Sequence, residues 1–152
     1  MRFLIERFDL DSLAKLPEGS LGKSFVDHMR KNNLDPHFYR TRNIENDTSY
    51  FIMRMRQTHD LWHVVTGFDT SIPGEIALQA FMIAQTHAAL SPILLGGSML
   101  RVGLKEPQHL PAVMDAIVDG YQLGKKMKSL FAVDWEKEWA ASLLELRTRL
   151  GR

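Results

Sequence analysis

Apolar positions recur three and four residues apart along nearly the whole chain, the spacing that gathers them on one face of an α-helix. No run of strict alternation bounded by hairpin turns accompanies them. The pattern therefore predicts an all-α fold, a compact bundle of about six or seven helices. One helix is expected after the Pro17 to Ser20 segment, carrying Leu21, Phe25, Val26 and Met29 before the Asn32-Asn33 breaker. The segment LDPHFYRTRN that follows reads as a loop or a short helix. A longer helix from about Thr48 to Thr66 should stop at Gly67, a residue suited to a left-handed cap. Pro73 fits the first turn of the next helix, continuing toward Leu90, where Ser91-Pro92 is expected to break it. A further segment runs from Ile93 to about Leu104. Pro107 or Pro111 opens a helix reaching Lys128, and Asp134 is placed to cap the last one, ending near Gly151. No internal repeat or low-complexity linker divides the pattern, so residues 1–152 read as a single helical domain.

A chain of 152 residues can bury a core that is stable without disulfides or a structural metal, so a bound metal would serve function. The absence of cysteine removes disulfide scaffolds, thiolate zinc sites and cysteine nucleophiles, and leaves His, Asp and Glu as ligands. With 19 Lys and Arg against 18 Asp and Glu, the formal net charge is +1, which argues against a general nucleic-acid binder. The opening MRFLIERFDLDSLAKLPEGS has early acids and neither a long apolar core nor a small-residue cleavage site. It reads as neither signal nor transit peptide, and suits a bacterial cytoplasmic protein or a trimmed mature chain.

The chemistry concentrates in HDLWHVVTGFDTSIPGE, His59 to Glu75. On a helix, Ile52, Arg56, His59, His63 and Thr66 form one stripe, so both imidazoles can point at the same ion. This is the His-x-x-x-His half of a zinc site, although paired histidines also occur on ordinary helix faces. Asp60 can bind the metal itself or hold a metal-bound water; as a plain helix residue it is solvated, about 100° around from His59. Glu75 stands near the start of the following helix, and a reversal at GFDTSIPG would return it to the histidine face. A glutamate in a first helical turn also simply complements the helix dipole. The zinc-peptidase pattern places a general-base glutamate after the first histidine; here that position holds Asp60 and no third histidine follows at the metzincin distance, which disfavours peptidase chemistry. His28, His37 and His109 read as surface or loop residues. His87 reads as a core or helix-surface residue, or as one lining a cavity.

From Ile76 to Leu100 the sequence IALQAFMIAQTHAALSPILLGGSML contains no Asp, Glu, Lys or Arg, long enough to raise a membrane span. Gln79, Gln85, Thr86 and His87, with the Ser-Pro and Gly-Gly pairs, argue against one spanning helix. Two packed helices are the conservative reading. The sharper one is a greasy groove beginning beside Glu75, where Met82, Met99 and small residues leave room for a long apolar ligand drawn from a membrane surface. Arg56, on the face of His59, can hold an acidic head group by a forked hydrogen bond or serve in an ordinary ion pair.

These residues resemble the coenzyme Q (ubiquinone) biosynthesis family whose eukaryotic member is the fourth of the coenzyme Q series. The signature is H-D-x-x-H, eleven residues and E, here His59, Asp60, His63 and Glu75. LPEGSLG at Leu16 to Gly22, RQTHD at Arg56 to Asp60 and the closing WEKEWAASLLELRTRLG support the resemblance, in the same order along most of the chain. This chain starts close to LPEGSLG, where longer members carry additional helical sequence. The resemblance implies an all-helical fold and a divalent metal, commonly assigned as zinc, on His59, Asp60, His63 and Glu75; the ligand chemistry also admits iron, manganese or magnesium. It also implies a polyprenylated aromatic intermediate or other isoprenoid lipid as ligand. Peripheral association with the inner face of the membrane and work beside other quinone-biosynthesis proteins follow in the same way.

Two roles follow from the resemblance: a metal-dependent lyase removing the C1 carboxylate of a prenylated 4-hydroxybenzoate with oxidation there, or a non-catalytic lipid-binding scaffold organising the other enzymes; for the first, the residues themselves point to Asp60 and Arg56 as catalytic. The His-x-x-x-His spacing alone leaves a metal-dependent hydrolase of a soluble substrate as a third reading. The amphipathic MDAIVDGYQLGKKMKSL can pack internally or against a second copy, and a homodimer is expected.

Overall fold

The structure, a computed structural model, describes residues 9–35, 38, 44–86 and 90–152. His37, His87 and most of LDPHFYRTRN lie outside the described residues. Among the described residues there are seven α-helices and no strand, the all-α fold expected. They fall into two units, one formed by Met1–Val65 with Phe131–Arg149, the other by Thr66–Leu130 with Leu150–Arg152.

In the first unit, Asp9 caps the short α1 (Leu10–Leu13) by accepting the backbone N–H groups of Asp11 and Ser12. Ser20 caps α2 (Leu21–Lys31), its hydroxyl accepting from Lys23 N–H at 3.2 Å, and α2 buries Leu21, Phe25, Val26 and Met29 as the periodicity requires. The N–H groups of Leu21 and Gly22 donate to the carbonyls of Ala141 and Trp139, each at 2.9 Å, tying the start of α2 to the segment before α7 (Leu143–Leu150). The 20-residue α3 (Asp47–Thr66) buries residues around much of its circumference, including Met53, Leu61, Trp62 and Val65. Two arginines serve its surroundings. Fully buried Arg54 donates to the Val133 carbonyl, and Arg147 of α7 donates to the carbonyls of Val64 and Val65 at 2.7 and 3.0 Å, satisfying acceptors that the helix end leaves open. Gly67, at φ 77°, then turns the chain in the left-handed conformation expected of it.

The second unit holds α4 (Ile72–Thr86), α5 (Leu90–Lys105) and α6 (Leu110–Lys126), with a single 3₁₀ turn at Pro107–His109. Ile76, Val102 and Val113 form a buried cluster, with Leu95, Met99, Leu110 and Ile117 packed against it. A Cβ on Gly120 would overlap the Ala77 carbonyl, so glycine is what lets the α6 backbone press onto α4. The Gln85 amide donates to the carbonyls of Gly124 and Met127 at 2.7 and 3.1 Å and accepts from Leu130 N–H at 2.9 Å, fixing the chain as it leaves α6. The described residues of the uncharged stretch thus lie on two helices, and among the described residues no helix is long and apolar enough to cross a membrane.

Three boundaries differ from expectation. Ser91 and Pro92 lie in the first turn of α5 and do not break it, because a first-turn proline forfeits no intrahelical hydrogen bond. Helix α6 ends at Lys126, short of Lys128. Asp134 does not cap the last helix: its carboxylate pairs with Lys137 at 2.8 Å, and α7 starts later, where Ser142 Oγ accepts from Glu145 N–H at 3.4 Å.

Candidate metal centre

Four residues apart on α3, His59 and His63 come together as their spacing requires, ring centroids 4.8 Å apart and planes at 75°. His63 is buried, 1% exposed, and His59 is half-buried. The Asp60 carboxylate Oδ1 lies 3.3 Å from His59 Nδ1. With the proton on Nδ1, His59 donates to Asp60 and leaves its Nε2 lone pair for an ion, the carboxylate–histidine pairing that orients metal ligands.

A fourth group joins from a different helix. The His28 ring of α2 stacks on His63, centroids 5.6 Å apart and planes at 20°. The sequence pattern predicts His28 at the surface or in a loop; it is half-buried and lies on the face of α2 that carries Phe25 and Met29. No spacing within one segment reveals a neighbour supplied by another. His109 does lie exposed, 2.9 Å from Glu106.

The electrostatics of Asp60 report the same cluster. Burial alone would raise its carboxyl, but the hydrogen bond from His59 and the charges of His59, His28 and His63 outweigh burial and hold it below the usual carboxylate range.

Arg56 is half-buried on α3, one turn before Asp60. In the second unit, Glu75 occupies the first turn of α4, also half-buried, its N–H donating to the Ser71 carbonyl at 2.9 Å. The preceding turn is built on Asp69, whose carboxylate accepts from the Ser71 N–H at 3.0 Å and from its hydroxyl. A Cβ at position 74 would overlap Asp69, so Gly74 permits that tight turn and sets the start of Glu75's helix.

The residues fit a divalent cation. His59, His63 and Glu75 each offer a candidate ligand atom, and a set of imidazole nitrogens and carboxylate oxygens suits zinc, iron or manganese better than a soft thiophilic ion.

Comparison with known proteins identifies the family. Residues 2–151 match the sequence profile described as coenzyme Q (ubiquinone) biosynthesis protein Coq4. The human mitochondrial ubiquinone biosynthesis protein COQ4 homolog is 32% identical over 154 residues, covering 99% of this chain and 57% of its own length. The rat homolog is 29% identical, with the same coverage. The chain thus spans little more than half the length of these relatives. A crystal structure from Nostoc punctiforme, of a protein provisionally assigned to ubiquinone biosynthesis, superposes with a TM-score of 0.91 at 42% identity, covering 99% of this chain and 70% of that one. The helices, the motif from His59 to Glu75 and a profile match over nearly every residue lead to one conclusion: this chain belongs to the coenzyme Q (ubiquinone) biosynthesis protein Coq4 family.

Proposed function

We propose that the chain acts in prenylquinone biosynthesis, holding a divalent metal, zinc foremost, with His59, Asp60, His63 and Glu75, and binding a polyprenylated 4-hydroxybenzoate. The observation that carries this reading is the pair of imidazoles 4.8 Å apart on α3, with Asp60 against His59 Nδ1. The reaction is loss of the C1 carboxylate: the C1–carboxyl bond breaks, carbon dioxide leaves, and the ring carbon keeps the electron pair and takes up a proton. An oxidative version additionally requires dioxygen as oxidant, since zinc does not change oxidation state. A divalent cation held by these residues would orient the phenolic or the carboxylate oxygen of the substrate and stabilise negative charge as the C1 bond breaks.

The chain's own residues supply the rest. Asp60 keeps the His59 ring oriented, and Arg56 positions the substrate carboxylate before it departs. The carbon dioxide released on mixing metal-loaded protein with prenylated 4-hydroxybenzoate, with and without oxygen, tests the proposal. Product in either condition supports catalysis, and none in both contradicts it.

A separate observation favours the scaffold reading. Helix α5 leaves Ile93, Leu100 and Leu104 65% to 76% exposed, and α6 leaves Met114 and Val118 about half exposed. Such a face suits a membrane surface, a second copy in a homodimer or another quinone-biosynthesis protein better than water. Tight prenyl-lipid binding with capture of those proteins and no turnover would support it.

A further inference from the structure

We propose that His28 is a positioning residue for His63, holding that ring in a fixed orientation toward the metal. The proposal rests on the metal-site reading above and adds a residue from outside the H-D-x-x-H segment. His63 is buried, and the His28 ring lies nearly parallel to it with centroids 5.6 Å apart, while His59 meets it edge to face at 4.8 Å. Rotation of His63 about its terminal torsion, soft for an sp³–sp² bond, would break the His28 stack before any ligand bond is considered.

His28 is itself secured. Asn32 Nδ2 donates to the His28 carbonyl at 2.9 Å and lies 3.4 Å from His28 Nδ1, and His28 shares the buried face of α2 with Phe25 and Met29. A flat ring fixed on one helix therefore braces a candidate ligand on another. The ring's shape carries this role, and its nitrogens are not required to touch the ion.

The discriminating variants are His28→Phe, which keeps a flat ring and removes both nitrogens, and His28→Leu and His28→Gln, which remove the ring. Two ring-deleting variants leave the comparison intact when one of them misfolds. Cobalt(II) is the probe, read by titration for affinity and by its visible absorption for ligand geometry, with thermal midpoints checked on the metal-free proteins. His28→Phe should keep the affinity and spectrum of the unaltered protein. His28→Leu and His28→Gln should bind cobalt about tenfold more weakly, the usual effect of losing a group that orients a ligand, and their absorption should change. Ring-deleting variants with unaltered affinity and spectrum would overturn the proposal. So would a His28→Phe variant as weak as the ring-deleting ones, because His28 would then act through a nitrogen. Failure of the unaltered protein to bind cobalt would instead sink the metal reading, and the positioning role with it.

Discussion

The carboxylate of Asp60 stands 3.3 Å from Nδ1 of His59, the residue just before it on α3, so the acid of the H-D-x-x-H motif supports a neighbouring imidazole. Asp60→Asn retains the shape and removes the charge. We expect metal affinity to fall by at least about tenfold, because the substitution removes both an anionic ligand and the group that orients His59. The metal-free protein should change as well. The Asp60 carboxyl is held below its ordinary range, so its contribution to stability is present above the unfolded-state value and is lost as pH falls through the lower folded value. Urea unfolding at a series of acidic pH values should show this loss in the unaltered protein and a flatter profile in Asp60→Asn; parallel profiles would contradict the assignment.

Glu136 gives the opposite sign. Burial drives its carboxyl upward, and neighbouring Asp134 adds to the rise, against the pull of Arg54. Between the unfolded value and this raised folded value, the folded state keeps a proton that the unfolded state has released. Stability therefore decreases as pH rises through that window, and the penalty is complete above it. Glu136→Gln should be more stable than the unaltered protein at neutral pH, with the difference vanishing at pH values below both carboxyl values. Equal stability of the two proteins across the range would refute this account.

Glycines of α5 and α6 divide into two kinds. Gly120→Ala places a methyl group against the Ala77 backbone and should cost about 1–3 kcal/mol, the typical penalty of overpacking. Gly96 is exposed in mid-helix with open space where a Cβ would stand, so Gly96→Ala should stabilise by about 0.5–1 kcal/mol. Chemical denaturation of both variants checks the pair, and a destabilised Gly96→Ala would show that this face is covered.

Much of the fold was legible because it is written locally. Ser20 before an apolar period and Gly67 after one mark helix ends whose partners lie within a few residues, and the structure places both where expected. Asp134 misled because a carboxylate can satisfy itself in more than one way, and Lys137 offered a nearer partner than a helix N-terminus. Ser91-Pro92 misled because proline both ends helices and opens them. Within the site, the pairing of His59 with His63 follows from helix geometry. His28 on His63 and Arg147 on the carbonyls of Val64 and Val65 join separate helices, and no spacing along the chain encodes such contacts.

Elemental analysis of the purified protein beside a His59→Ala/His63→Ala variant, with thermal midpoints confirming that both are folded, tests whether the two imidazoles hold a metal. Close to one equivalent of a divalent metal is expected in the unaltered protein, with loss of that metal from the folded variant. A folded variant retaining the same metal content, or an unaltered protein that takes up none after incubation with zinc, iron or manganese, would contradict that expectation.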